Sequence, residues 1–215
     1  MASTTTTANT TNTSDASPPS LHLHTYFRSS CSGRLRIALH LKQLPFTATA
    51  VHLLKGEQSG AAYRALNPSG TVPTLTHTVP SPSSSDGRTT TGTKTIAITQ
   101  STAALEYLDE AFPDAAGPAL FPRGDDAVER RAHVRTLVAI VACDTQPLTN
   151  SAPIKAVDAL GADGRAWARE WTRWGCDMER WPKIMTVFRH MESLEAVKAA
   201  HWRRQEDTPE EFREA

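Results

Sequence analysis

Polar and apolar residues alternate along "LHLHTYF", where Leu21, Leu23 and Thr25 share one face, the two-residue period of a strand. The period then lengthens. Between Cys31 and Lys42, Leu35 with Leu39 and Ile37 with Leu41 recur four apart, which predicts an amphipathic helix. "TATAVHLL" predicts a second strand, residues 58–66 a short helix, and "NPSGTVPTL" a turn running into a third strand. "IAIT" predicts a fourth strand, and residues 100–111 a helix whose buried face is Ala104, Leu105 and Leu108. From Asp125 onward the strand signals stop: 125–146 and 154–175 predict two long helices, and 183–200 one or two shorter ones. The pattern divides the chain into an α/β module over 21–111 and an all-helical module over 125–215. "FPDAAGPALFPRGD", with three prolines and two glycines, marks 112–124 as the linker.

Two stretches break this pattern. Residues 1–20 hold 11 Ser or Thr and almost nothing to bury, which predicts a disordered tail. Residues 76–95 again hold 11 Ser or Thr and predict a long exposed loop. The chain has 215 residues, zero formal net charge and a pI near 7.1. It therefore lacks the basic field that would draw nucleic acid or an anionic membrane. No apolar run approaches the roughly 20 residues that span a bilayer. No Lys or Arg precedes Arg28, so neither a secretory signal nor an Arg-rich transit peptide is read. Cys31, Cys143 and Cys176 are odd in number and lack a framework spacing, which fits free thiols in a reducing, cytoplasmic compartment. No metal site is read.

The chemistry concentrates at helix entrances. Ser29, Ser30 and Cys31 stand at the first turn of the first predicted helix, where unpaired N–H groups favour an anion, a thiolate included. Either a hydroxyl there donates to a thiolate, or Cys31 is itself the thiolate, or Ser29 or Ser30 simply caps the helix. Val72-Pro73 follows a glycine-containing turn and is either a cis peptide that presents the Val72 backbone at a sheet edge, or an ordinary trans turn. Gln100 and Ser101 open a further helix, as a carboxylate site or as a plain cap.

"FRSSCSGRLRIAL", "LNPSGTVPTL", "ITQSTAALEYLDE" and "CDTQPLTN", in that order, closely resemble the zeta class of glutathione transferases, the maleylacetoacetate isomerases. The resemblance implies a thioredoxin-like N-terminal domain followed by a shortened all-helical C-terminal domain. It implies glutathione as cofactor, with Ser29 donating to its thiolate and Ser30 and Cys31 lining the same pocket. Gln58, Val72, Pro73, Gln100, Ser101, Gln146 and Asn150 would hold the tripeptide. The implied reaction is cis–trans isomerisation of maleylacetoacetate, a dicarboxylate of tyrosine and phenylalanine breakdown, by a homodimer. Such a dianion needs a cation, and Arg28 is the candidate.

The chain departs from that family where Gly175-Cys176 runs directly into "DMERWPKIM": an internal piece of the helical domain is expected to be missing near 175–177. Trp167, Trp171 and Trp174, spaced as a core stripe, would lose part of their cover. Two alternatives follow. "CSGR" is a CxxC lacking its second cysteine, which suits a monothiol reductase using Cys31; or the chain is a catalytically impaired isoform that binds glutathione or a full-length subunit.

Overall fold

The computed structural model describes residues 20–85, 88–173 and 182–213. Four strands form one sheet in the order β2-β1-β3-β4: β1 (Leu21–Thr25), β2 (Phe46–Ala50), β3 (Thr74–Ser85) and β4 (Arg88–Thr99). β1 runs parallel to β2 and antiparallel to β3, and β3 runs antiparallel to β4. The parallel pair needs a crossover, which α1 (Ser30–Leu41) provides. α2 (Ala61–Leu66) follows β2, and α3 (Ser101–Ala111) follows β4.

The alternation read in the sequence is what closes the core. Leu21 and Leu23 of β1, Leu35, Ala38 and Leu39 of α1, Leu75 of β3, and Ala104 and Leu108 of α3 form one buried cluster. At ~25 cal/mol per Å² of apolar area removed from water, each buried leucine contributes about 1.5–3 kcal/mol.

A buried ion pair closes this module against the linker. Lys42 is 1% exposed, and its Nζ lies 3.0 Å from Asp109 Oδ1. Asp109 also accepts the N–H groups of Leu120 and Phe121 at 2.8 and 3.3 Å. Gly117 N–H donates to the Lys42 carbonyl, so close that a Cβ on Gly117 would overlap the Leu41 carbonyl oxygen. Burial alone would raise the Asp109 carboxyl, but the Leu120 N–H, the Lys42 ammonium and the Phe121 N–H together hold it below its ordinary value. The unfolded chain then takes up the proton first, so the stability from this carboxylate is complete above about pH 4 and is lost as pH falls through the lower folded value. Thermal midpoints from pH 7 downward are expected to drop more steeply below pH ~4 in the wild type than in Asp109→Asn. Parallel curves would remove the assignment.

Several elements differ from the sequence expectation. The loop expected over 76–95 is a β-hairpin: the register runs from Thr74↔Thr99 to Ser85↔Arg88. Threonine is β-branched and suits a strand, so low complexity did not mean an irregular backbone here. The second strand ends at Ala50, and Gln58 sits in a 3-10 turn, Glu57–Ser59, ahead of a shorter α2. The helix expected over 125–146 is a 3-10 turn (Asp125–Ala127), α4 (Val128–Ala139), a π-helical turn (Ile140–Thr145), and a 3-10 turn from Gln146 to Thr149. The helix expected over 154–175 is α5 (Ser151–Ala159) and α6 (Gly164–Arg173), parted where Gly161 adopts φ +82° and Asp163 caps α6 through the Ala166 N–H. α7 (Pro182–Ser193) and α8 (Glu195–Ala199) follow. Cys176, Trp174 and the expected junction at 175–177 lie outside the described residues, as does the tail before Ser20.

Among the described residues, the helical part buries little of itself. Leu137 of α4 and Val187 of α7 are 66% and 62% exposed. Its last segment instead folds back on the sheet domain. Arg36 of α1, 3% exposed, donates to the carbonyls of Ala200, Tyr26 and Phe27 and to the Thr25 hydroxyl. Asp207 accepts the Phe27 N–H at 2.8 Å. Burial pulls the Arg36 guanidinium down to about 10, so it stays charged at neutral pH.

Candidate active site at the entrance of the first helix

β1 ends at Thr25, and a short turn brings the chain to the start of α1. Ser29 is its N-cap: in an extended conformation, φ −76° and ψ 115°, its Oγ accepts the Ser32 N–H at 3.1 Å. The capping reading of Ser29 therefore holds, and it is compatible with chemistry. A hydroxyl has two acceptor positions and one proton, and capping occupies only an acceptor. Ser30 is exposed and Cys31 half-buried on the next two positions.

Gln146, from the 3-10 turn after the π-helical segment, reaches these residues. Its Nε2 donates to Ser30 Oγ at 3.3 Å, and its Oε1 accepts from Cys31 Sγ at 3.5 Å. The same Nε2 donates to Asn150 Oδ1. Ser29, Ser30, Cys31, Gln146 and Asn150, drawn from the two modules, thus share one place. A π-turn re-aims the residues after it by inserting an extra position, which is how Gln146 comes to face α1.

A second wall is the turn before β3. The Val72-Pro73 peptide is cis. Asn67, fully buried, donates to the Thr71 carbonyl at 2.8 Å and to Thr74 Oγ1 at 3.0 Å, and Tyr63 O–H donates to the Thr71 carbonyl at 2.7 Å. Gly70 adopts φ +60°, and a Cβ there would press on the Gln58 carbonyl oxygen at 3.1 Å. Gln58 therefore packs directly on the turn that carries Val72. Its own Oε1 is buried with no hydrogen-bond partner among the described residues.

The third wall is the start of α3. Gln100 has φ +69° and its side chain does not cap the helix, so among the described residues the first-turn N–H groups of α3 keep no capping side chain. Arg34, on the second turn of α1, donates from Nη1 to Ser101 Oγ at 3.0 Å. A guanidinium beside an uncapped helix start suits a carboxylate. The sequence reading passed over Arg34; its signal was the spacing Ser30 to Arg34, four residues on one helical face. Arg28 is exposed, and its guanidinium lies over the Trp202 ring, 5.8 Å from the centroid.

The fit to a tripeptide thiol rests on these features. Among the described residues, Gln58 has an unsatisfied buried acceptor and the Ser29 hydroxyl at the α1 start donates to no partner, while α3 and Arg34 present donors for a carboxylate. Among the described residues no group of three or more His, Cys, Asp or Glu could hold a metal ion, and no helix is long and apolar enough to cross a membrane.

Comparison with known proteins gives the family of the chain. Residues 28–111 match the family model described as glutathione S-transferase, N-terminal domain. The maleylacetoacetate isomerase of Aspergillus fumigatus is 42% identical over 240 residues, covering 93% of this chain and 97% of that protein. Since 93% of 215 residues is about 200, roughly 40 of those 240 aligned positions have no counterpart in this chain. Among solved structures, a maleylacetoacetate isomerase from Anaeromyxobacter dehalogenans with glutathione in its active site has a TM-score of 0.66 and 30% identity, covering 89% of this chain and 99% of that one. A bacterial maleyl pyruvate isomerase of the zeta class has a TM-score of 0.68 and 28% identity, covering 87% and 100%.

Proposed function

Because the chain belongs to the maleylacetoacetate isomerases, the zeta class of the glutathione transferases, we propose that it catalyses the glutathione-dependent isomerisation of maleylacetoacetate to fumarylacetoacetate. One observation carries the reading: Ser29 caps α1 through its oxygen and keeps its proton for a sulfur arriving at the helix entrance.

Glutathione, when bound, supplies a thiolate whose reversible addition turns a cis double bond into a single bond free to rotate. The chain's own residues do the rest. Ser29 donates to the sulfur and, with the α1 dipole, lowers the cost of its negative charge. Ser30 and Cys31 line the same pocket, held by Gln146. Arg34, Gln100, Ser101 and the α3 N–H groups receive the γ-glutamyl carboxylate. Gln58 and the backbone of Val72, beside Pro73, hold the middle of the tripeptide, and Asn150 steadies Gln146. Arg28 attracts the dicarboxylate substrate.

We place this reaction in tyrosine and phenylalanine breakdown in the cytoplasm, and assign the active form as a homodimer. The dimer is supported by the exposed apolar side chains Leu137, Ile140 and Val141 along α4 and the turn after it. The monothiol reductase is less well supported: Cys31 is half-buried, with its Sγ against Gln146 Oε1 at 3.5 Å. The test is conversion of maleylacetone by the purified chain with and without glutathione, with light scattering on the same sample. Glutathione-dependent turnover at twice the chain mass is expected. Turnover indifferent to glutathione, or none from a folded sample, would overturn the isomerase reading; a monomeric mass would overturn the dimer.

A further inference from the structure

The C-terminal segment returns to the candidate site and places an indole there. Trp202 packs against the cluster of Tyr26, Phe27, Val51 and Val72, with its ring centroid 6.2 Å from those of Phe27 and Phe212. Its carbonyl accepts the Thr208 hydroxyl, so the segment that carries it is pinned as well. Two guanidiniums lie over this one ring: Arg28 at 5.8 Å from the centroid and Arg203 at 5.1 Å. Both side chains are exposed, and neither makes an ion pair among the described residues. Asp207, nearby in sequence, serves the Phe27 N–H and faces Arg36 instead.

Two like charges held at 5.8 and 5.1 Å from the centroid of one ring repel each other, and the indole quadrupole attracts both. What relieves the repulsion is an anion with two separated charges. Arg28 adjoins Ser29, and Arg203 adjoins Trp202, which shares a cluster with Val72. We propose that Arg203, steadied by Trp202, is a second carboxylate-binding residue: Arg28 takes the carboxylate nearer the reacting double bond and Arg203 the distal one. The inference rests on the isomerase reading for the identity of the dianion, and on the geometry alone for the anion site. It makes the end of the chain a determinant of substrate charge, and Trp202 a positioning residue.

The test compares maleylacetoacetate, with two carboxylates, and maleylacetone, with one. Arg203→Gln is expected to raise KM for the dianion about tenfold, the loss of one charge-assisted contact, and to shift KM for the monoanion far less. Trp202→Ala is expected to show the same selectivity loss, and Trp202→Phe, which keeps an aromatic face, to restore most of it. Equal changes for both substrates, or none, would overturn the proposal while leaving the isomerase reading intact. Calorimetric titration of succinate at saturating glutathione separates the two claims. If neither substrate turns over but Arg203→Gln weakens succinate about tenfold, the anion site stands without the isomerase reading. Unchanged succinate affinity would sink it.

Discussion

Replacing Ser29 by glycine is expected to lower glutathione-dependent turnover about 100-fold, the usual size of losing one preorganised donor to a developing or resident anion. Glycine is the informative choice because Ser29 has two duties. Its Oγ caps α1 through the Ser32 N–H, and alanine at an N-cap costs about 1 kcal/mol, whereas glycine costs only a few tenths. A large loss of turnover in Ser29→Gly with a nearly unchanged melting midpoint therefore isolates the proton donor from the cap. The pH dependence gives a second reading. Without the donor the thiolate is less stabilised, so the pH at which activity rises should move upward by about one unit for each ~1.4 kcal/mol removed. Turnover within a few-fold of wild type, with the pH profile unmoved, would leave Ser29 as a helix cap and nothing more.

The largest effect on stability is expected at Arg36. Its guanidinium satisfies four acceptors from three places: the Thr25 hydroxyl, the Tyr26 and Phe27 carbonyls that lead into the site, and the Ala200 carbonyl at the end of α8. Arg36→Met keeps the apolar stem but strands those carbonyls in a buried setting, a loss of about 3–5 kcal/mol. For a chain of this size that corresponds to a fall of about 10 °C in Tm. Arg36→Lys is expected to recover only part of it, because one ammonium cannot reproduce a planar fork. A Met variant within about 1 kcal/mol of wild type would mean that water reaches these carbonyls.

Much of this was legible beforehand, and for reasons that differ by element. Leu21, Leu23, Leu35, Leu39 and Leu108 were assigned to buried faces from periodicity, and all five lie in the core, because burial on one side of a strand or helix is what periodicity encodes. The cluster of Ser29, Ser30, Cys31, Gln146 and Asn150 was legible only through the family resemblance: no local rule links positions more than a hundred residues apart. Arg34, Arg36 and Asp207 were not read at all. An arginine on a mostly apolar helix face looks the same in sequence whether it snorkels to water or is buried over carbonyls, and only the returning C-terminal segment decides. The helix breaks at Gly161 and after Ala139 were missed because the apolar spacing continues through them. Trp202 and Arg203 were not read either, because no periodicity or motif around them tells what a C-terminal segment touches.

The hairpin of β3 and β4 changes the expected course of folding. A loop of 20 residues between two strands would have to be closed before any pairing repaid it, and closure entropy grows with the logarithm of length. Only Asp86 and Gly87 separate Ser85 from Arg88, so closing the turn costs on the order of 2 kcal/mol less than closing twenty residues. Hairpins of this kind form in about 1–10 μs, faster than a parallel pair can find its crossover partner. The serine- and threonine-rich insertion thus adds local contacts and lowers the mean sequence separation of the sheet. Lengthening this chain by such a segment shortens the search for its native pairing: β1 has a preassembled ribbon to dock against, and the slow step left is the arrival of α1 and β2.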